Sequence, residues 1–379
     1  MDDRLQYRIA LTLIPGIGCK SYRQIVELCG EPELLFKMKR KELTEVFGNH
    51  PDIIAAILNG STLKRAEEEC LFIEKNKLHT LFFTEEDYPR RLNRSDCADT
   101  PPLLYVQGDC NLNRRHVVSI VGTRRITPYG RDMAERIVRD LASDDMLIVS
   151  GLAYGVDTAA HTASLENKLP TAGVLGHGLD QLYPPQNRNL AMRMLEQGGC
   201  LITEYPSYTK INASYFPARN RIIAALADAV IVVEASEKGG ALITANIANS
   251  YHREVFAVPG RCFDTYSKGC NNLLSNNKAV IYTDIEKFFF NMGWDYTKSP
   301  KDAQQELFPK LTRDEQKVVD LLHEEERLGI EDISEKLNTP LPKMAGILLN
   351  LELENVIRCL PGKFYQLSCK SESNAKLRD

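Results

Sequence analysis

No stretch of this chain is apolar for long enough to cross a bilayer, and the N-terminal MDDRLQYRIALTLIPG has too short and too charged an apolar run to serve as a signal peptide. Residence in the cytoplasm is the resulting expectation. Pairing signals among the cysteines are missing as well. The 10 cysteines include no Cys-x-x-Cys pair and no His/Cys cluster, so neither a disulfide framework nor a metal site is expected, and they read as reduced, mostly buried thiols. Basic charge is not in excess: 47 Lys+Arg against 51 Asp+Glu give a formal net charge of −4. That balance disfavours a broad basic face that coats nucleic acid, so any polyanion site must be local. Also absent are a GxGxxG turn followed by an acidic residue and a Walker A loop, so no NAD, ATP or other cofactor is expected.

What is present is 379 residues with 43% hydrophobic content, enough for roughly two to three domains with a substantial core. Residues 1 to about 68 carry apolar residues at three- and four-residue spacing, broken by Pro15-Gly16, Gly30 and Gly60. They read as a small helical domain of the SAM or helix-hairpin-helix type. From Leu71 the pattern changes to short runs, LHTLFF and PPLLYVQG, expected as extended lead-in strands. Between His116 and Asp284 compact β-branched runs alternate with amphipathic segments: HVVSIVG, MLIVSGL, TAGVLGHG, CLITEYP, AVIVVEAS, EVFAVPG and AVIYTD. Near-continuous apolar strands separated by helices specify an α/β domain, a doubly wound, mostly parallel, extended Rossmann-like sheet covered on both faces. This core is taken as 69–295, followed by a polar linker at 296–310. Three helical segments, the first of them capped, and the hairpin IRCLPGKFYQL, with Pro361-Gly362 at its tip, predict a winged helix over 311–368, and 369–379 reads as a solvated tail.

Glycine-containing turns follow the core strands: Gly122-Thr123-Arg124, Ser150-Gly151, Gly176-His177-Gly178 and Lys238-Gly239-Gly240. Open α/β sheets bind ligands at the carboxyl ends of their strands, where loop amides and helix N-termini offer positive partial charge. Cations collect at the same edge: Arg124 and Arg125, Arg219 and Arg221 in FPARNR before a helix, and Lys238. Each alone reads as a solvent-facing residue at a helix start. Their recurrence at corresponding strand ends favours a group that grips phosphates, because arginine forks pair with phosphate oxygens and stack on bases. Tyr183 and Phe216 beside those loops fit base stacking and hydrophobic stapling of helix entries equally well.

The segments GTRRITPYG, SGLAYGVDTAAH, AGVLGHGLDQLYPPQNRNL, LITEYP, FPARNRIIAALADAVIVVEA, GGALITA and VFAVPG stand in an order that resembles the DNA-processing protein A family, also called Smf. The likeness spans nearly the whole chain and is densest from about Asp87 to Asp284. It implies single-stranded DNA binding without a catalytic reaction, dimerisation, protection of incoming or recombining strands, and loading of the RecA recombinase. Carried over position by position, it implies a DNA-contacting group of Gly122, Thr123, Arg124, Gly151, Asn187, Arg219, Asn220, Arg221, Lys238, Gly239 and Gly240. Tyr154 stands where the family often has arginine, and Gly239-Gly240-Ala241 replaces a common Ser-Gly-Ser, so amides would stand in for hydroxyls there.

Alternatives come from other classes. The glycine loop also resembles that of the Rossmann-like phosphoribohydrolases, PGGxGT followed by glutamate, but here no acidic residue follows Thr244 until Glu254. Asp157 and His161, four apart on a helix, could hydrogen-bond, yet no nucleophile is placed beside them and a packing or capping role fits better. Glu204 and Glu234 are equally unsupported as acid/base partners. Ile14-Pro15-Gly16-Ile17-Gly18 resembles a helix-hairpin-helix turn with few basic neighbours. Residues 311–370 hold eight Lys/Arg against eleven Asp/Glu, which argues against major-groove binding by the winged helix.

Overall fold

The computed structural model describes residues 3–48, 50–143, 145–295, 311–325, 327–354 and 356–367. The expected linker at 296–310 and tail at 369–379 lie outside them. The chain divides into two compact units, Met1–Trp294 and Asp295–Asp379.

The first unit begins with six helices: α1 (Asp3–Thr12), α2 (Cys19–Cys29), α3 (Pro32–Lys37), α4 (Arg40–Phe47), α5 (Pro51–Asn59) and α6 (Ser61–Lys75). The last runs past 68, because Glu67 to Lys75 is an unbroken series of residues that tolerate helix, ending only where Lys77 turns left-handed. Ile9, Leu11, Tyr22, Leu35, Leu43 and Ala66 fill their interior and join the same apolar cluster as the sheet. Ion pairs lock the seam. Arg8 bridges Glu31 and Glu85 while lying 4.0 Å from the Phe82 ring centroid, and buried Glu69 accepts from the Ser207 amide and pairs with Arg65.

The sheet has nine strands in the order β1-β2-β6-β5-β4-β3-β7-β8-β9. They are β1 (His79–Phe82), β2 (Leu103–Gly108), β3 (His116–Val121), β4 (Met146–Ser150), β5 (Thr171–Val174), β6 (Cys200–Thr203), β7 (Ala229–Val232), β8 (Glu254–Ala257) and β9 (Val280–Ile281). From β6 across to β9 all pairings are parallel, and the two lead-in strands close one edge antiparallel. Nearly every residue of β3, β4 and β7 is buried, as expected when both faces are covered. Between the strands run α7 (Pro128–Asp140), α8 (Val156–Glu166), α9 (Arg188–Glu196), α10 (Tyr215–Leu226), α11 (Gly240–Ser250) and α12 (Lys268–Ser275), with α13 (Ile285–Met292) after β9. The chain starts the parallel core at β3, works outward through β4, β5 and β6, then crosses back to lay β7 on the other side of β3. A crevice opens at that reversal of winding direction, above the carboxyl ends of β3 and β7.

The second unit packs α14 (Arg313–Glu324), α15 (Ile330–Lys336) and α16 (Leu341–Leu353) with a small sheet ordered β10-β12-β11, from β10 (Leu328–Gly329), β11 (Ile357–Leu360) and β12 (Phe364–Leu367). Thr312 and Glu315 form a capping box at α14, and Gly362 takes φ +88° at the hairpin tip. Val318, Leu322, Ile333, Leu348 and Leu351 make its core. This is a winged helix.

Candidate functional site

A cavity of about 570 Å³ occupies the β3–β7 crevice. Its wall on one side is the turn after β3, where the Thr123 amide donates to the Glu234 carbonyl at 2.7 Å and the Arg125 amide donates to Thr123 Oγ1. On the other side is the turn after β7. There Ser236 Oγ donates to the Lys238 carbonyl at 3.3 Å, and Gly239-Gly240 opens α11, whose first turn leaves amides without intrahelical partners. A Cβ added at Gly240 would meet nothing within 4 Å, so the backbone here is bare toward open space rather than packed. The loop after β8 contributes Thr265 and Tyr266, and the Ala235 amide donates to the Tyr266 carbonyl.

The floor is Arg219, on α10. The residue is 4% exposed, its Nε is buried with no hydrogen-bond partner, and among the described residues it forms no ion pair. Burial brings its pKa down to about 10, Asp157 opposing and Arg124 adding to the fall. A buried guanidinium with an unsatisfied N–H and no direct ion pair, only the more distant charge of Asp157, is costly, so a site that holds one is suited to an anion. The guanidinium lies on the backbone of Gly151, where an added Cβ would fall 1.5 Å from Nη1. Asp157, buried, accepts from the Gly151 and Ala153 amides at 3.1 and 3.2 Å and so ties down the turn after β4. Burial raises its pKa against the opposing charge of Arg219. At the mouth Arg124 is exposed, with Cζ 5.9 Å from the centroid of Phe216, a wall residue.

Of the residues singled out in the sequence, Gly122, Thr123, Arg124, Arg219, Asn220, Gly239 and Gly240 line this one cavity. Gly151 lies beneath Arg219, and exposed Lys238 precedes the Gly239-Gly240 wall. Two are elsewhere. FPARNR does not precede a helix but forms the first turns of α10, with Pro217 early enough to forfeit no hydrogen bond. At about 100° per residue, positions 219 and 221 point nearly oppositely. Arg221 therefore faces away and pairs with Glu204 at 2.6 Å, near Cys19 of the helical region. Burial alone would lower Arg221, but the charge and hydrogen bonds of Glu204 hold it above its ordinary value. Asn187 is buried and spends its amide on the Leu152 carbonyl and Thr158 Oγ1, bracing the turn after β4 from behind.

The carboxylates weighed as acid/base groups are likewise engaged. Glu234 accepts from the Thr127 amide and hydroxyl. His161 does not bond Asp157; its Nδ1 meets Thr171 Oγ1 at 2.7 Å, and burial, with Arg219 second, pushes its pKa down to about 3. Sequence reasoning passed over Ser236, Thr244, Thr265 and Tyr266 as cavity residues; their placement after β7 and β8 was the available signal.

Comparison with known proteins adds lineage to this geometry. Residues 79–293 match the family model described as DNA recombination-mediator protein A, and 299–363 match the DprA winged helix domain. Protein Smf of Escherichia coli (strain K12) is 32% identical over 336 residues, 84% of this chain and 88% of that relative. DNA processing protein DprA of Bacillus subtilis (strain 168) is 38% identical over 212 residues, 56% and 70% of the two chains. The crystal structure of DprA from Streptococcus pneumoniae superposes with a TM-score of 0.64 at 30% identity, covering 77% of this chain and 99% of that one. A Helicobacter pylori DNA processing protein A structure, described for its single-stranded DNA binding mode, gives 0.52 at 32% identity, over 58% and 98%.

Proposed function

The chain belongs to the DNA-processing protein A family, and from that premise we propose that it grips unpaired DNA in the β3–β7 crevice, with Arg219 on the floor and Arg124 at the mouth. The observation that carries this reading is the buried guanidinium of Arg219, its Nε without a hydrogen-bond partner, in the lining of an open cavity. A DNA phosphate supplies the missing counter-charge, and the bare amides at Gly239-Gly240 add donors at a helix N-terminus. None of these groups reads a base edge, so binding is sequence-tolerant and weakens as salt rises. In the same reading the protein acts in the cytoplasm as a homodimer that shields single strands and helps deliver them to the RecA recombinase. It does so without a reaction of its own. The one carboxylate among the cavity-lining residues, Asp157, is occupied by loop amides.

Fluorescence anisotropy with labelled oligo(dT), competed by unlabelled single strand or duplex, tests the reading. Arg124→Glu combined with Lys238→Glu should weaken binding by roughly 100-fold or more, since each reversal replaces an attraction with a repulsion at close range. Duplex should compete poorly. Unchanged affinity in the folded double variant would remove these residues from the site. Release of free base from nucleoside monophosphates would instead support the phosphoribohydrolase alternative.

A further inference from the structure

Two tyrosines near the cavity keep much of their rings exposed. Tyr154 is 39% exposed and Tyr183 is 42% exposed. Their loops are fastened without using the ring faces. The Tyr183 amide donates to the buried His177 ring at 3.2 Å, Asn187 fastens the same segment to the Leu152 carbonyl, and the Tyr154 hydroxyl donates to the Gln186 side chain. The backbone of Tyr183 therefore does the structural work, and its ring leans on Phe216, centroids 5.6 Å apart and planes tilted by 46°. A residue serving only to staple a helix entry would bury its ring. Phe216 in turn lines the cavity and lies against Arg124. Tyr183, Phe216 and Arg124 thus form a series, and Tyr154 is tied to Gln186 on the same loop as Tyr183.

We infer that Tyr154 and Tyr183 form a stacking shelf for the bases of the strand whose phosphate sits over Arg219. The inference rests on the single-strand reading and adds to it the part of the ligand that the cavity leaves unrecognised. Each base has a π-face, so such a shelf needs unpaired nucleotides but no particular sequence. In a duplex those faces are covered by neighbouring bases, and the shelf contributes nothing. Preference for single strands over duplex thereby has a source separate from phosphate charge. Tyrosine suits the role because its ring is rigid and carries a large contact area, and at Tyr154 the hydroxyl also sets it in place.

The test uses the full chain and two labelled oligonucleotides of equal length and charge, oligo(dT) and a strand of abasic tetrahydrofuran residues. Their phosphates are identical, so any difference in affinity reports on bases. Wild-type protein should prefer oligo(dT), and stacking on one ring is worth roughly 5- to 150-fold in affinity. Tyr183→Ala and Tyr154→Ala should lose affinity for oligo(dT) while binding the abasic strand as wild type does, and Tyr183→Phe should retain most of the preference. Equal binding of the two strands by wild type would overturn the shelf and leave the phosphate site standing. Equal losses on both strands in the alanine variants would also overturn it, assigning the tyrosines to structure. Failure of wild type to bind oligo(dT) would sink the single-strand reading and the shelf together.

Discussion

Replacing Gly151 by alanine separates the floor of the cavity from the rest of the fold. The new Cβ would lie 1.5 Å from Arg219 Nη1, 2.4 Å from Cζ and 2.6 Å from Nη2. Ordinary contact begins near 3.4 Å, so the guanidinium must withdraw by about 2 Å, further than any hydrogen bond can stretch. The obstructed atoms are the far end of a flexible side chain, and the backbone at 151 needs no left-handed conformation, so the fold adapts at small cost. A charge-assisted hydrogen bond to phosphate contributes about 1.5–3 kcal/mol, which corresponds to roughly a 10- to 150-fold loss of single-strand affinity. One phosphate contact fewer should also flatten the slope of log K against log salt by about 0.7. Anisotropy with oligo(dT) at four or five salt concentrations measures both quantities, and urea unfolding alongside shows that the variant is folded. A folded Gly151→Ala protein with wild-type affinity and wild-type slope would refute the assignment of Arg219 to the DNA.

Arg221 should behave in the opposite way. Arg221→Ala strands Glu204 in a largely buried position and is expected to cost about 3 kcal/mol in chemical denaturation, the low end for a broken buried pair because each partner keeps some solvent contact. Single-strand affinity of the folded protein should stay within about twofold of wild type, since the side chain is not at the cavity. His161 gives stability a pH dependence. Its pKa of about 3 in the folded chain lies below the ordinary 6.5, so the unfolded chain binds the proton first. Its contribution is therefore complete above pH 6.5 and is lost as pH falls, by about 2 kcal/mol between pH 7 and 5. Urea unfolding across that range should show a shallower dependence in His161→Leu, by about 0.7 proton on average; equal slopes would mean that native His161 takes up its proton as readily as in the unfolded chain.

Much of the fold was legible because its signals were redundant. The seven runs from HVVSIVG to AVIYTD each became a parallel strand, and Pro361-Gly362 turned the hairpin of the winged helix. A buried parallel strand leaves little ambiguity, since polar residues cannot occupy either face. The site was legible only to the level of loops. Strand order, which sequence does not state, decides which strand ends are neighbours; here β7 lies beside β3, bringing Gly122–Arg125 and Ser236–Ala241 together. Side-chain direction was harder still. Placing FPARNR before the helix made Arg219 and Arg221 equivalent, whereas helical geometry sends one to the cavity and the other to Glu204. Asn187 was misleading for a related reason, because a polar residue next to a ligand loop can be spent on holding that loop.

Photocrosslinking of full-length protein to oligo(dT) containing 4-thiothymidine, with the attached peptides mapped by mass spectrometry, tests the central claim most directly. Gripping of the strand in the β3–β7 crevice predicts adducts within 122–125, 216–220, 236–241 and 265–266, and a base shelf beside it adds Tyr154 and Tyr183. Adducts confined to the winged helix or to the N-terminal helices would contradict it.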